Sequence, residues 1–333
     1  MYINQNLSTN IKPNLLVVGF PRCGTSSLFK YLADHPNIAV PSIKETYFLV
    51  DKNSPFKQKW GSIHESQELF LRFLPNYYGE KYVLDATPCY FVQQTALDYA
   101  ANNSSTKVIF IIRNPVERIY SSFMYIKHVL QESPWLTFSD FVDAAFKVYR
   151  DKYQTNSLQE VVSTAEGLLR FEIELGIEAG HYVEHFNKWI NALGKDRVFI
   201  GDLTEMRETP YNFMRKVCTF LEIDNSYYRN YQFKLYNKSF KVRFPFLQKW
   251  ARRLSGFDKM HTNSIGLYHS HFHFIRVFFV KKIVDYIYNN FQNITSYSKS
   301  PDDELALKKL INYYKVYNTK LYQEFNINFI SVI

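Results

Sequence analysis

Lys107-Val108-Ile109-Phe110-Ile111-Ile112 is an apolar run too short for a buried helix and without the polar alternation of a half-exposed strand. A strand written this way is covered on both faces, which places it at the centre of a parallel sheet with helices on either side. Leu15-Leu16-Val17-Val18 has the same character. Helical spacing follows each run, with Leu28, Phe29 and Leu32 after the first and a Pro115-led helix from Val116 after the second. Shorter strand candidates at 37–40, 81–84 and 197–200 alternate with helices at 93–101, at 182–193 (closed by Gly194) and at 212–221. The segment 138–175 reads as helical and mixed in charge. A last amphipathic helix over 304–325 carries Leu307, Leu310, Ile311, Tyr314, Tyr317 and Leu321 on one side. Strands alternating with helices predict an α/β fold of three layers, a mostly parallel central sheet flanked by helices.

The first strand ends in Gly19-Phe20-Pro21-Arg22-Cys23-Gly24-Thr25-Ser26. Two glycines five apart, followed by hydroxyl residues at a helix start, leave backbone N–H groups to hold an oxyanion, so the fold is P-loop-like. A nucleotide-hydrolysing P-loop places Lys just after the second glycine, where this chain has Thr25. The nearest cation is Arg22. Arg113 closes the central strand, where open α/β sheets bind their ligands, and Ser121 follows two turns into the next helix. Arg113 can hold a phosphate in a bidentate fork that the Ser121 hydroxyl joins. Two cationic phosphate sites on neighbouring strands fit a donor with two separated phosphates. They argue against a small-molecule kinase, which would need the missing lysine and an acidic magnesium ligand.

The formal charge of +9 is concentrated. From Lys234 to Lys299 there are twelve Lys or Arg and two acids, Asp258 and Asp285, or +10 in 66 residues. The aromatic, basic stretch at about 240–291 reads as an insertion or cap on a single domain spanning 1–333. It predicts an anionic ligand, with Lys238, Lys241 and Arg243 near the second phosphate, or weak contact with a membrane surface. No nucleic-acid-binding module accompanies the charge. Cys23, Cys89 and Cys218 form no paired framework or metal spacing, and residues 1–12 are polar. The expectation is a reducing, cytoplasmic compartment and no metal.

Taken in order, these motifs resemble the sulfotransferases that use 3′-phosphoadenylyl sulfate (PAPS), in particular the carbohydrate (heparan-sulfate-type) and bacterial branch. Residues 19–28 resemble that family's 5′-phosphosulfate loop and residues 108–121 its 3′-phosphate motif. Lys44-Glu45-Thr46-Tyr47-Phe48 resembles the Lys-Glu-x-x-Phe segment, and Asp85-Ala86-Thr87-Pro88-Cys89-Tyr90 the acidic-x-Thr-Pro-x-Tyr element. Gly180-His181-Tyr182 with Trp189, and Val198 to Leu203, resemble the later helix and strand. The chain departs from the pattern at Arg22, often Lys, and at Asp85, often Glu. It departs again at Ala86, Lys in some glycan enzymes, and at Gly201, commonly acidic.

The resemblance implies a PAPS donor held at its 5′ side by Arg22, Cys23, Gly24, Thr25, Ser26 and Ser27, and at its 3′-phosphate by Arg113 and Ser121. Adenosine 3′,5′-bisphosphate (PAP) would be the product. It implies Glu45 as general base, Arg22 as a catalytic cation, and Lys44, Asp85, Thr87 and Tyr90 at the acceptor. The acceptor would be a carbohydrate or a small metabolite bearing a hydroxyl or amine, and the basic stretch fits an anionic one. From composition alone, Lys44–Glu45 would be a surface ion pair. His35, His64, His128 and His181 read as ordinary helix or loop residues. The reading of another class is a basic membrane-surface or interaction protein on a nucleotide-binding fold.

Overall fold

The computed structural model describes residues 11–54, 62–74, 77–130, 136–154, 172–234, 241–242, 293–294 and 299–329. In chain order these form β1 (Leu15–Gly19), α1 (Thr25–Ala33), β2 (Ile38–Ala39), β3 (Tyr82–Ala86), α2 (Gln94–Asn102), β4 (Lys107–Ile112) and α3 (Pro115–Met124). They continue as α4 (Phe138–Gln154), α5 (Tyr182–Leu193), β5 (Val198–Asp202), α6 (Leu203–Glu208), α7 (Pro210–Leu221), β6 (Lys241–Val242), β7 (Asn293–Ile294) and α8 (Pro301–Phe325). The chain divides into two compact units, one of residues 1–114, 182–237 and 329–333, the other of 115–181 and 238–328.

The first unit holds a five-stranded sheet in the order β2-β3-β1-β4-β5. Every pairing in it is parallel. The apolar runs become its middle. Leu15, Leu16, Val17 and Val18 on β1, and Val108 to Ile112 on β4, are all fully buried. Truncating Leu15, Leu16, Ile109, Ile111 or Ile112 to alanine would cost about 2–5 kcal/mol. Trp189 on α5 is likewise buried, and its indole N–H donates to the Phe91 carbonyl at 3.2 Å. Gly201 on β5 has a steric reason. A Cβ there would lie 2.6 Å from the Phe213 ring and 3.0 Å from Ile111 Cδ1, so no acidic side chain fits.

From β1 the chain leaves towards β2 and β3, whereas from β4 it leads to β5 on the opposite side. The C-terminal ends of β1 and β4 therefore flank the point where the connections diverge, and in open parallel sheets that is where ligands bind. β2 is not beside β1. β3 lies between them, so the segment carrying Glu45 follows an edge strand, and its neighbour is the end of β3.

The second unit is built on α3, α4 and α8. Ile119, Phe123, Phe138, Phe141, Val142, Leu307, Leu310 and Tyr314 share one buried cluster, with Ile311 and Tyr317 packed against it. α8 begins on Ser300 in a capping box: Ser300 Oγ accepts from the Asp303 N–H, and Asp303 Oδ2 accepts from the Ser300 N–H, both at 3.1 Å. Gly180 is required by close packing, since a Cβ would come within 2.5 Å of the Tyr314 ring. β6 and β7 pair antiparallel, Lys241 with Ile294 and Val242 with Asn293. Most of the basic stretch at 240–291, with Arg243, lies outside the described residues, as do Lys238 before it and part of the helical 138–175 segment. Among the described residues no helix is long and apolar enough to cross a membrane.

Candidate functional site

The loop after β1 is held from below and from the side. The Phe20 N–H donates to the Ile111 carbonyl of β4 at 2.9 Å, and Phe20 itself is fully buried against Phe91, Phe110 and Tyr182. Arg22 adopts φ +65 and Gly24 φ +88, and this left-handed pair turns the chain into α1. Gly24 is the N-cap of α1 and brings no capping side chain. The Ser27 and Leu28 N–H groups return to the Gly24 carbonyl at 3.0 and 3.1 Å. A helix N-terminus without a side-chain cap presents its first N–H groups and the positive end of its dipole, the arrangement that suits phosphate. The cradle admits no Cβ at Gly24, where one would sit 2.5 Å from Leu203 Cδ1 and 2.9 Å from Met206 Cε. Cys23 and Thr25 are buried and Arg22 is half-buried.

Arg113 stands directly after β4 and is half-buried. Its carbonyl accepts the Tyr182 hydroxyl at 2.6 Å, which ties the strand end to α5. The sheet thus brings Arg113 and the 19–27 loop to adjacent strand ends in one unit. Ser121 is on α3 in the second unit, 5% exposed. Lys241 is in β6 of that unit.

Glu45 lies on a turn with unusual backbone. Glu45 at φ +64 and Tyr47 at φ +52 are both left-handed although neither is glycine. Each such residue costs about 1–2 kcal/mol and has to be held from outside. Phe48, buried against Phe70 and Phe73 with ring centroids at 5.3 and 6.5 Å, is the apolar anchor. Glu45 Oε1 pairs with Lys44 Nζ, and Oε2 accepts the Tyr47 hydroxyl at 2.9 Å. The ion pair expected from composition is therefore present, on a side chain 35% exposed. Tyr47 is not legible as a site residue from the sequence. Its hydroxyl meets Glu45 only because the turn is left-handed.

The sequence reading puts Asp85, Thr87 and Tyr90 at the acceptor. All three are 0% exposed and engaged with the Glu45 turn. Asp85 Oδ2 accepts from Thr46 Oγ1 and from the Tyr90 hydroxyl, each at 2.7 Å, and Oδ1 accepts from Thr87 Oγ1 at 3.0 Å. Burial raises the Asp85 pKa, the three hydroxyl donors oppose that rise, and the charge of Glu45 adds to it. Burial, followed by the Glu45 charge, holds the Tyr47 phenol well above its ordinary value. The described histidines named from the sequence are structural. His35 Nε2 donates to the Asp224 carbonyl at 2.8 Å, and His64 Nε2 to the Val50 carbonyl at 2.9 Å. His181 Nε2 lies 3.1 Å from the Tyr313 hydroxyl.

A family model described as "Sulfotransferase domain" matches residues 12–295. Among curated proteins, the chain is similar to the bifunctional heparan sulfate N-deacetylase/N-sulfotransferase 1 of Caenorhabditis briggsae. Identity is 23% over 220 residues, covering 63% of this chain and 23% of that protein. It is also similar to carbohydrate sulfotransferase 15 of Mus musculus, with 20% identity over 249 residues, 63% of this chain and 44% of that one. The chain thus spans under half the length of these curated relatives. Among solved structures, a sulfotransferase from Alicyclobacillus acidocaldarius superposes with a TM-score of 0.53 at 21% identity. That match covers 74% of this chain and 91% of the other, and it carries the fold.

Proposed function

Because this chain belongs to the sulfotransferase domain family of enzymes, we propose that it transfers a sulfuryl group from PAPS to a hydroxyl or amine of a carbohydrate or small-metabolite acceptor. The observation that carries this reading is the convergence of the uncapped α1 N-terminus and Arg113 on the adjacent ends of β1 and β4. The donor set fits the substrate: backbone N–H groups and Arg22 for the 5′-phosphosulfate, and the Arg113 guanidinium for the 3′-phosphate. The names of the relatives, which concern heparan sulfate and carbohydrate, support a sugar acceptor.

In the reaction the acceptor oxygen or nitrogen attacks sulfur in line with the 5′-phosphate. Its proton passes to a Glu45 carboxylate oxygen, the new bond to sulfur forms, and the old S–O bond breaks. That bond's electron pair leaves with PAP. Lys44 beside Glu45 favours the ionised, proton-accepting carboxylate. Arg22 and the loop N–H groups stabilise charge that builds on the leaving phosphate and the sulfuryl oxygens, the kind of preorganised electrostatics that lowers a barrier most.

Isothermal titration tests the donor site. PAP is expected to bind far more tightly than ATP. Arg113→Ala should weaken PAP by about 10- to 100-fold, the loss of one charge-assisted contact worth about 1.5–3 kcal/mol. ATP binding as tight as PAP, and indifferent to Arg113→Ala, overturns the reading.

A further inference from the structure

We propose that Asp85 is a positioning residue for Glu45: a buried carboxylate that, through Thr46, Thr87 and Tyr90, holds the left-handed turn on which Glu45 stands. The inference rests on Glu45 as the base, and it follows from the direction of each hydrogen bond. The Tyr47 N–H donates to Thr87 Oγ1 at 3.4 Å, the Phe48 N–H to Thr46 Oγ1 at 3.1 Å, and the Leu49 N–H to the Tyr90 hydroxyl at 3.0 Å. Three consecutive backbone donors thus end on three hydroxyls. Each hydroxyl, having accepted one hydrogen, turns its own proton towards Asp85. Three incoming protons on two oxygens match an ionised carboxylate, which only accepts. A protonated Asp85 would add a fourth proton to a cluster that already supplies three.

The relay locks the backbone of residues 47–49, directly after Glu45. That segment includes the strained Tyr47, whose hydroxyl touches Glu45 Oε2. Burial makes the lock rigid, since none of Thr46, Asp85, Thr87 and Tyr90 is exposed to competing water. The ionised Asp85 has a second effect on Glu45. The two carboxylates repel, which strengthens Glu45 as a proton acceptor. Among the described residues, the groups that face this site include Lys44 and Tyr47 on the turn itself, Asp51 beyond it near Cys89, and Cys89 and Tyr90 from the segment after β3. Cys89 and Tyr90 are buried and held neutral, with thiol and phenol both pushed well up by burial. Lys44 opposes Asp85 but is shared by all the variants below.

The test uses the full chain and two readouts that need no acceptor. The first is the titration of the Glu45 carboxyl by 13C NMR, assigned by its disappearance in Glu45→Gln. Asp85→Asn keeps the shape and removes the charge, so Glu45 should titrate at lower pH than in the parent. The second is hydrogen exchange at the Tyr47, Phe48 and Leu49 amides. Thr46→Val removes one relay hydroxyl without changing volume and should cut protection there about tenfold or more. Thr46→Ser should restore it. PAP affinity should stay at the parent value throughout, since these residues lie outside the donor loop. Asp85→Asn should also lower protection of the three amides; parent-level protection there overturns the proposal, and an unmoved Glu45 titration overturns the charge effect on Glu45. If Asp85→Asn does not fold, the Thr46 pair decides, and unchanged protection in Thr46→Val is then the refuting result. Turnover by Glu45→Gln at the parent rate would instead refute Glu45 as the base while leaving these two readouts to stand or fall alone.

Discussion

Gly24→Ala asks two things of the donor loop at once, and the chain supplies a control for each. At φ +88 an alanine pays the left-handed penalty of about 1–2 kcal/mol. Its Cβ also meets Leu203 at 2.5 Å and Met206 at 2.9 Å, both buried side chains with little room to retreat. Such overpacking costs about 1–3 kcal/mol. The sum is about 2–5 kcal/mol, which at about 2 °C per kcal/mol lowers Tm by about 4–10 °C. Gly79 has φ +94 and nothing within 4 Å of where a Cβ would stand, so Gly79→Ala isolates the backbone cost and should lower Tm by only about 2–4 °C. Gly201→Ala isolates the clash, here with Phe213 and Ile111. Differential scanning calorimetry on the three variants, with PAP titration of each, gives the comparison. Only Gly24→Ala should also lose donor affinity, because only there does relief of the clash move the α1 N-terminus. A Gly24→Ala protein that melts with Gly79→Ala and binds PAP like the parent refutes the claim that close packing on α6 shapes the cradle.

Glu45→Gln should reduce kcat by about 100- to 10,000-fold with PAP affinity unchanged, since it removes a proton acceptor and no phosphate contact. Kinetics with labelled PAPS and glucosamine-containing oligosaccharides as acceptors, beside titration of PAP, checks it. Glu222 carries a pH prediction. A hydrogen bond from Lys107 Nζ at 2.8 Å, with the charges of Lys107 and Lys81, holds its carboxyl below the ordinary value of 4.5. A carboxyl depressed in the folded state contributes stability that is present above its unfolded value and lost as pH falls through the folded one. Urea unfolding of Glu222→Gln should therefore show a shallower loss of stability below about pH 4.5 than the parent, and 1 M salt should narrow the difference.

The strands are legible in the sequence where chemistry is uniform and less so where a charge interrupts it. Val108–Ile112 can be read to the residue because every side chain in it argues for the same environment. The pattern alone stops β3 at Leu84, yet the strand runs to Ala86. Asp85 looks like a terminator, and only the hydroxyls of Thr46, Thr87 and Tyr90 gathered on it allow a carboxylate inside a buried strand. β5 likewise runs on to Asp202, which pairs with Ile112 and also caps α6 by accepting the Thr204 N–H at 2.7 Å. The donor loop can be read from local spacing, because two glycines and a helix start lie within eight residues. The surroundings of Glu45 cannot. The relay joins residues about forty positions apart, and its logic lies in the direction of protons that a string of letters does not record.

The ladder of Lys241–Val242 with Asn293–Ile294 has a consequence for how such a protein can diversify. The chain departs from and returns to one place in the second unit, so whatever is spliced between those points leaves the rest of the fold with the same two attachment ends. Closing a longer excursion is thermodynamically mild, about 0.6 kcal/mol for each doubling of its length. The chain between the two short strands can then lengthen while both attachment ends keep their register.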